Sequence, residues 1–236
     1  MCSSDLGLDR EVSPYAFQPL PLDETRHTIG ARFWTGGPPT RGWNLDLEAA
    51  YQFGTADGVL TATGPAEADI SAGFFAGVVS YGFGDLPWTP ILGSRFGISS
   101  GDGDPTDDTL TTFRAPFPPG RYFGESNPLG PGNLAGIGPY LTLQPTERLS
   151  LTGRYQAFWR LAEEDGIYAP PQVPIRGAAG DDRFVGQEFS LIANYAFNDY
   201  VSLNVTGSLF DTGPFLSSNP PDENIGFAQA KLFVAF

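Results

Sequence analysis

An all-β fold, an antiparallel transmembrane β-barrel, is the class predicted for this 236-residue chain, on three observations. Segments of about ten residues alternate apolar and polar side chains, as a strand with two unlike faces requires. The connections between them alternate long and short. The last ten residues, "FAQAKLFVAF", are themselves an alternating strand that ends on an aromatic carboxylate, Phe236.

Composition agrees. The 30 Gly and 22 Pro punctuate the chain too often for long helices. No run of about eighteen apolar residues is present to make a transmembrane helix. A mean hydropathy of −0.15 with 14% aromatic residues suits a wall that meets lipid on one face and water on the other. The net charge of −14 argues against a nucleic-acid partner, whose phosphates need basic surface. Cys2 has no internal disulfide partner, and "MCSSDLGLDR" has neither the basic nor the apolar region of a signal peptide. Residues 1–236 are therefore expected to be a single barrel domain, truncated at the N-terminus.

Taken in order, weak strands are expected at 8–18 and 26–34. The clearest strand is 43–53, "WNLDLEAAYQF", in which Trp43, Leu45, Leu47, Ala49, Tyr51 and Phe53 oppose Asn44, Asp46, Glu48 and Gln52. Weaker alternation covers 68–83, 90–100 and 133–144. Three strong strands follow. In 148–160, Leu149, Leu151, Tyr155, Ala157 and Trp159 oppose Arg148, Ser150, Thr152, Arg154, Gln156 and Arg160. In 184–197, Phe189, Leu191, Ala193 and Tyr195 oppose Glu188, Ser190 and Asn194, and in 201–209 Val201, Leu203, Val205 and Leu209 oppose Ser202, Asn204, Thr206 and Ser208. With 227–236 this makes about ten strands.

Connections 54–67, 101–132, 161–183 and 211–226 are long; 84–89, 145–147 and 198–199 are short. Tight turns on one rim and long loops on the other are the habit of outer-membrane barrels. The long connections also hold most of the acids, among them Asp102, Asp104, Asp107, Asp108, Glu125, Glu163, Glu164 and Asp165.

The blocks "AYQFGTADG", "SSGDGDPTDDTLTTF", "FPPGRYFG", "GNL", "LQPTERLSL", "RYQAFWRLAEEDGIY" and "FVGQEFSLIANYAFNDYVSL", followed by the aromatic-ended last strand, resemble successive parts of the alginate export family. The stretches "SLFDTGPFL", with Asp211, and "NIGFAQAKL" depart from its pattern. The resemblance implies a large antiparallel barrel in the outer membrane of a Gram-negative bacterium. It also implies passage of an anionic polysaccharide, or a similar solute, through the lumen without chemistry or cofactor. Its partners would be outer-membrane lipids and lipopolysaccharide, with the barrel-assembly machinery reading Phe236. The chain begins inside the family's length, so the first strand is expected to leave an open edge on an incomplete barrel.

If the apolar parity faces lipid, Arg32, Arg95, Arg148, Arg154 and Lys231 face the lumen with Asp46, Glu48 and Glu188. An arginine at mid-depth on the lipid face would cost about 2–4 kcal/mol. The resemblance makes Arg95 and Arg154 the leading conduit residues, at one lumenal level on either side of 133–144. The alternative is that the arginines pair with lumenal acids and knit the wall, with Arg32 near Asp46 and Arg154 near Glu188 or Ser190. Trp34, Trp43, Trp88, Trp159, Tyr81 and Tyr200 stand near strand ends, as an aromatic girdle or as ordinary packing.

Asp102, Asp104, Asp107 and Asp108 are hard oxygen ligands at close spacing, a calcium candidate without the order of an EF-hand loop; a solvated acidic loop is the competing reading. His27 and Cys2 sit in no catalytic motif, and His27 is read as a rim residue. Two other functions share these features: a general or sugar-specific porin, and a secreted or periplasmic carbohydrate-binding β-sandwich.

Overall fold

The computed structural model describes residues 23–36, 40–116, 123–170, 173–178 and 180–235. The expected strand 8–18, Cys2 and Phe236 lie outside the described residues. Nine long strands carry the fold: β1 (Asp23–Trp34), β2 (Gly42–Thr61), β3 (Gly64–Gly82), β4 (Ile91–Ser99), β6 (Leu134–Thr146), β7 (Leu149–Trp159), β10 (Phe184–Ala196), β11 (Val201–Thr212) and β12 (Ile225–Val234). The long connections add β5 (Thr109–Leu110), β8 (Ile167–Ala169), β9 (Val173–Arg176) and one helical turn, α1 (Pro214–Ser217).

The long strands pair antiparallel in the order β1-β2-β3-β4-β6-β7-β10-β11-β12, and β5 adds to β3 in parallel. β1 pairs with β2 and β12 with β11, and no ladder joins β1 to β12. The sheet is thus open, as part of a barrel wall is. Among the described residues its companion is the small β8–β9 hairpin, and no second sheet of them covers it as in a sandwich.

The two faces carry the inverse of a soluble protein's polarity. Trp43, Leu191 and Leu209, on the outer face, are 69%, 74% and 68% exposed, whereas Gln52 and Glu188, on the concave face, are 0% and 1% exposed. Aromatic residues mark both margins of the outer face. Trp43 packs edge-on to Tyr81 and Tyr195 to Phe197 near the short turns, and Tyr51 stacks on Phe53 toward the loops. Ten residue steps from Trp43 to Phe53, at about 3.4 Å each and tilted about 40°, span roughly 26 Å, the height of a lipid-facing band. Trp34 falls on the concave parity instead, opposite Asp46, with the Arg32 guanidinium over its ring at 5.7 Å.

Short turns on the opposite rim are closed by side chains. The Asn198 Oδ1 accepts from the amides of Tyr200 and Val201, and the Thr146 hydroxyl from those of Arg148 and Leu149.

The structure corrects one connection. Residues 54–67 are not a loop, because β2 and β3 continue as a ladder to Thr61 and Gly64. The alternation that reveals 43–53 breaks at a register shift between Ala56 and Val59. Beyond the apolar band this hairpin buries its own cluster, Ala56, Val59, Ala68 and Ile70 against Leu110 of β5. Gly64, at φ +116°, takes the left-handed turn position that other residues enter at a cost.

The larger core lies on the concave side, where the long connections fold inward. Phe123 and Leu129, Ile167, and Phe215 with Leu216 pack against Leu134, Phe158, Val185 and Phe210 of the wall. Three connections thereby meet in one apolar plug beneath the loop rim.

Candidate functional site: the concave face and its inward loops

Cross-strand partners share a face, so the registers lay out the concave surface row by row. Arg32, Glu48, Ala76, Gly97 and Gly136 form one row across five strands. Asp46, Val78, Arg95 and Gly138 form the next. Arg154 faces Tyr140, two residues along β6 from the Gly138 that faces Arg95, so the two arginines flank β6 in neighbouring cross-strand rows. Gly138 has to be glycine, since a Cβ there would lie 1.8 Å from the Tyr155 carbonyl oxygen.

The charges are mostly paired. Arg32 grips Asp46 with two hydrogen bonds of 2.7 Å. Arg154 pairs at 2.6 Å with Glu125, from the 100–133 connection. Arg26 and Arg114 share Glu24, at 2.7 and 3.0 Å.

That connection is tied to two distant walls. On β2, the buried Gln52 accepts from the Arg114 amide at 3.0 Å and donates to the Arg114 carbonyl at 2.6 Å. On β10, the buried Glu188 accepts from the amides of Glu125 and Ser126 at 2.5 and 3.1 Å, from the Ser126 hydroxyl, and from Ser190. Residues 111–116 and 123–129 of this connection therefore lie against the concave surface at two walls far apart in the sheet.

A second lock joins this connection to 160–183. Asn133, buried at φ +50°, donates to the carbonyls of Ala162, Asp165 and Gly166 and accepts from the amides of Leu161 and Ala162. The Asp165 carboxylate accepts from the Asp102 and Gly166 amides and from the hydroxyls of Thr112 and Tyr168. Buried Arg160 donates to the carbonyls of Asp182 and Glu163 and covers the Phe215 ring at 4.4 Å.

These contacts decide the chemistry open to the concave face. It offers charged and hydrogen-bonding side chains, and inward connections anchored to the wall. A family model described as alginate export matches residues 17–226. The chain belongs to the alginate export family. No curated protein matches the chain significantly.

For this alginate export chain, Arg32, Arg95, Arg154, Asp46, Glu48, Glu188 and Lys231 all lie on the concave parity, Lys231 opposite Asn204 near the open edge. Arg148 does not lie on a strand; it is exposed in the β6–β7 turn, at the short-turn rim. Arg32 meets Asp46 as expected. Arg154 lies opposite Ser190, but its ionic partner is Glu125 rather than Glu188. His27 takes the outer parity, its ring 5.4 Å from that of Phe53.

The four acids of 102–108 do not act together. Among the described residues, no three His, Cys, Asp or Glu side chains gather as a metal site would require. Asp104 is held below the usual carboxylate range by the Thr106 hydroxyl and amide. Asp102, read as part of a solvated loop, is instead 2% exposed, and its side chain accepts from the Asp104 amide.

Gln52, Glu125, Asn133, Asp165 and Gln156 were not singled out by the sequence. Asn133 lies in the "GNL" block, and Gln52 and Gln156 lie on the polar parity of strong strands. Alternation alone does not separate them from solvated neighbours.

Asp165 carries a pH dependence. Burial pushes its carboxyl above the ordinary range, and its four donors pull back without cancelling this. The unfolded carboxyl ionises near 4, so its contribution to loop stability is complete below about pH 4 and falls as pH rises through the folded value. The protection of 160–168 against hydrogen exchange, taken relative to the intrinsic rate at each pH, is expected to fall from pH 4 upward. Asp165→Asn should flatten that slope. It should also cost about 1–3 kcal/mol, because its NH2 meets an amide N–H whichever way it turns.

Proposed function

We propose that the chain forms the wall of a Gram-negative outer-membrane channel that passes an alginate-like anionic polysaccharide, or a related solute, passively along its concave face. One observation carries this reading: the apolar face is the exposed one, and the polar, charged face is enclosed. Lipids and lipopolysaccharide are the natural neighbours of the outer face, and further strands would close the edges at β1 and β12.

Arg95 and Arg154 meet a passing carboxylate in neighbouring rows of the wall, weakly enough to release it, since conduction needs favourable binding without trapping. Arg154, tied to Glu125, also holds the inward connection, which leaves Arg95 as the cleaner test.

Full-length protein reconstituted in planar bilayers is expected to conduct, and Arg95→Glu to lower anion over cation permeability, more so at low salt. A protein that stays monomeric in buffer without detergent would overturn the channel reading. An unchanged reversal potential in Arg95→Glu would remove the anion preference alone.

A further inference from the structure

A cavity of about 240 Å³ opens on the concave face between β1 and β7. Its floor is nearly bare sheet, with Ala76, Gly97 and Gly136 side by side in one cross-strand row. Charged side chains, Arg32, Asp46, Glu48 and Arg95, stand around it, and Phe123 of the inward connection lines it from above. The formal charges of these four sum to zero. Such a ring offers acceptors and donors together, and it gives an anion no net attraction.

Gln156 also lines the cavity. It is 3% exposed, and its side-chain carbonyl oxygen has no hydrogen-bond partner among the described residues. A buried acceptor left unmade costs free energy comparable to a lost hydrogen bond. The acceptor thus stands at the cavity wall without a donor among the described residues.

We infer that this cavity is a binding subsite for one uncharged, hydroxyl-bearing pyranose ring. Sugar hydroxyls donate and accept at once, which matches the Asp46/Arg32 pair, the Glu48 and Arg95 side chains and the Gln156 oxygen. The bare floor lets the flat ring lie close to the backbone, and Phe123 supplies an apolar surface for its C–H face. A ring that displaces half a dozen waters, at about 30 Å³ each, fits the volume. The inference rests on the reading of the concave face as a conduit. It adds that the wall grips the hydroxyl edge of a passing sugar here, apart from any carboxylate.

The test uses saturation-transfer NMR on the full-length protein in detergent, with the methyl glycosides of glucose, mannose and galactose and their matching uronates as probes. At least one neutral glycoside is expected to receive saturation, and to keep it when salt is raised. Glu48→Ala should weaken that binding fivefold or more, as read by titration. Gln156→Leu should remove it, with heat-modifiability on gels confirming the fold; the exposed Glu48 gives a variant that folds in any case. Three results would overturn the inference: no transfer to any neutral glycoside, transfer to uronates alone that salt abolishes, or binding indifferent to Glu48→Ala. Conductance is read separately, so glycoside binding without conductance would sink the channel reading and leave the subsite standing.

Discussion

Replacing Asn133 by alanine is expected to free the loop rim from the wall, at a cost on the order of 3–5 kcal/mol to the folded loops. No other side chain described here holds as many main-chain groups from a neighbouring connection. Its amide nitrogen serves the carbonyls of Ala162, Asp165 and Gly166, and its oxygen serves the amides of Leu161 and Ala162. Alanine replaces none of these, and most of the orphaned groups stay out of reach of water. The left-handed backbone at φ +50° adds strain, since asparagine tolerates it better than alanine. Limited proteolysis in detergent should show new cleavage within 100–133 and 160–183 while the strands survive. A variant as resistant as the parent would show that the apolar cluster around Phe123 and Ile167 holds the loops by itself.

Glu188→Ala is expected to release the 100–133 connection from its β10 wall. The variant leaves the Glu125 and Ser126 amides and the Ser126 hydroxyl without their acceptor, and removes the wall contact beside the Arg154–Glu125 pair. Hydrogen exchange of the 123–129 peptide should quicken roughly tenfold or more, the factor that about 1.4 kcal/mol of lost local stability gives. If the concave face is a conduit, single-channel conductance should rise at the same time, because the inward connection moves aside. Arg154→Met, which removes the pair and keeps Glu188, should produce a smaller change in both readings. Equal exchange in Glu188→Ala and parent would assign the anchoring to Gln52 and the β2 wall instead.

The strands were legible because apolar and polar side chains alternate along them. From Trp43 to Phe53 apolar and polar residues alternate strictly enough to show the strand, and this stretch lies wholly within the observed β2. Beyond Phe53 both faces of the hairpin meet water or a neighbouring loop. The pattern fades at Thr55–Gly58, and the continued ladder of β2 and β3 could not be read. Arg32 and Asp46 flank one short connection, so their pairing follows from topology. The Arg154–Glu125 pair does not, because Glu125 arrives on a connection whose path has no period. The anchors Gln52, Asn133 and Glu188 depend on where that path touches the wall. Parity could place Gln52 and Glu188 on the right face, but not name what they would hold.

The sheet follows the order of the chain, with every long strand beside the next one in sequence. Assembly can therefore proceed as a string of hairpins, each closing on the strand just formed. Loop-closure entropy rises only as the logarithm of length, so the 100–133 connection costs about 2 kcal/mol more than a four-residue turn. The inward connections belong to a different stage. Gln52 lies on β2 and Glu188 on β10, so the 100–133 connection finds both its moorings only after most of the wall exists. If the concave face is a conduit, its bore is then a late product of folding, built first as open sheet and lined afterwards. On that reading, changes at the moorings should alter what passes through it while leaving insertion into the membrane untouched.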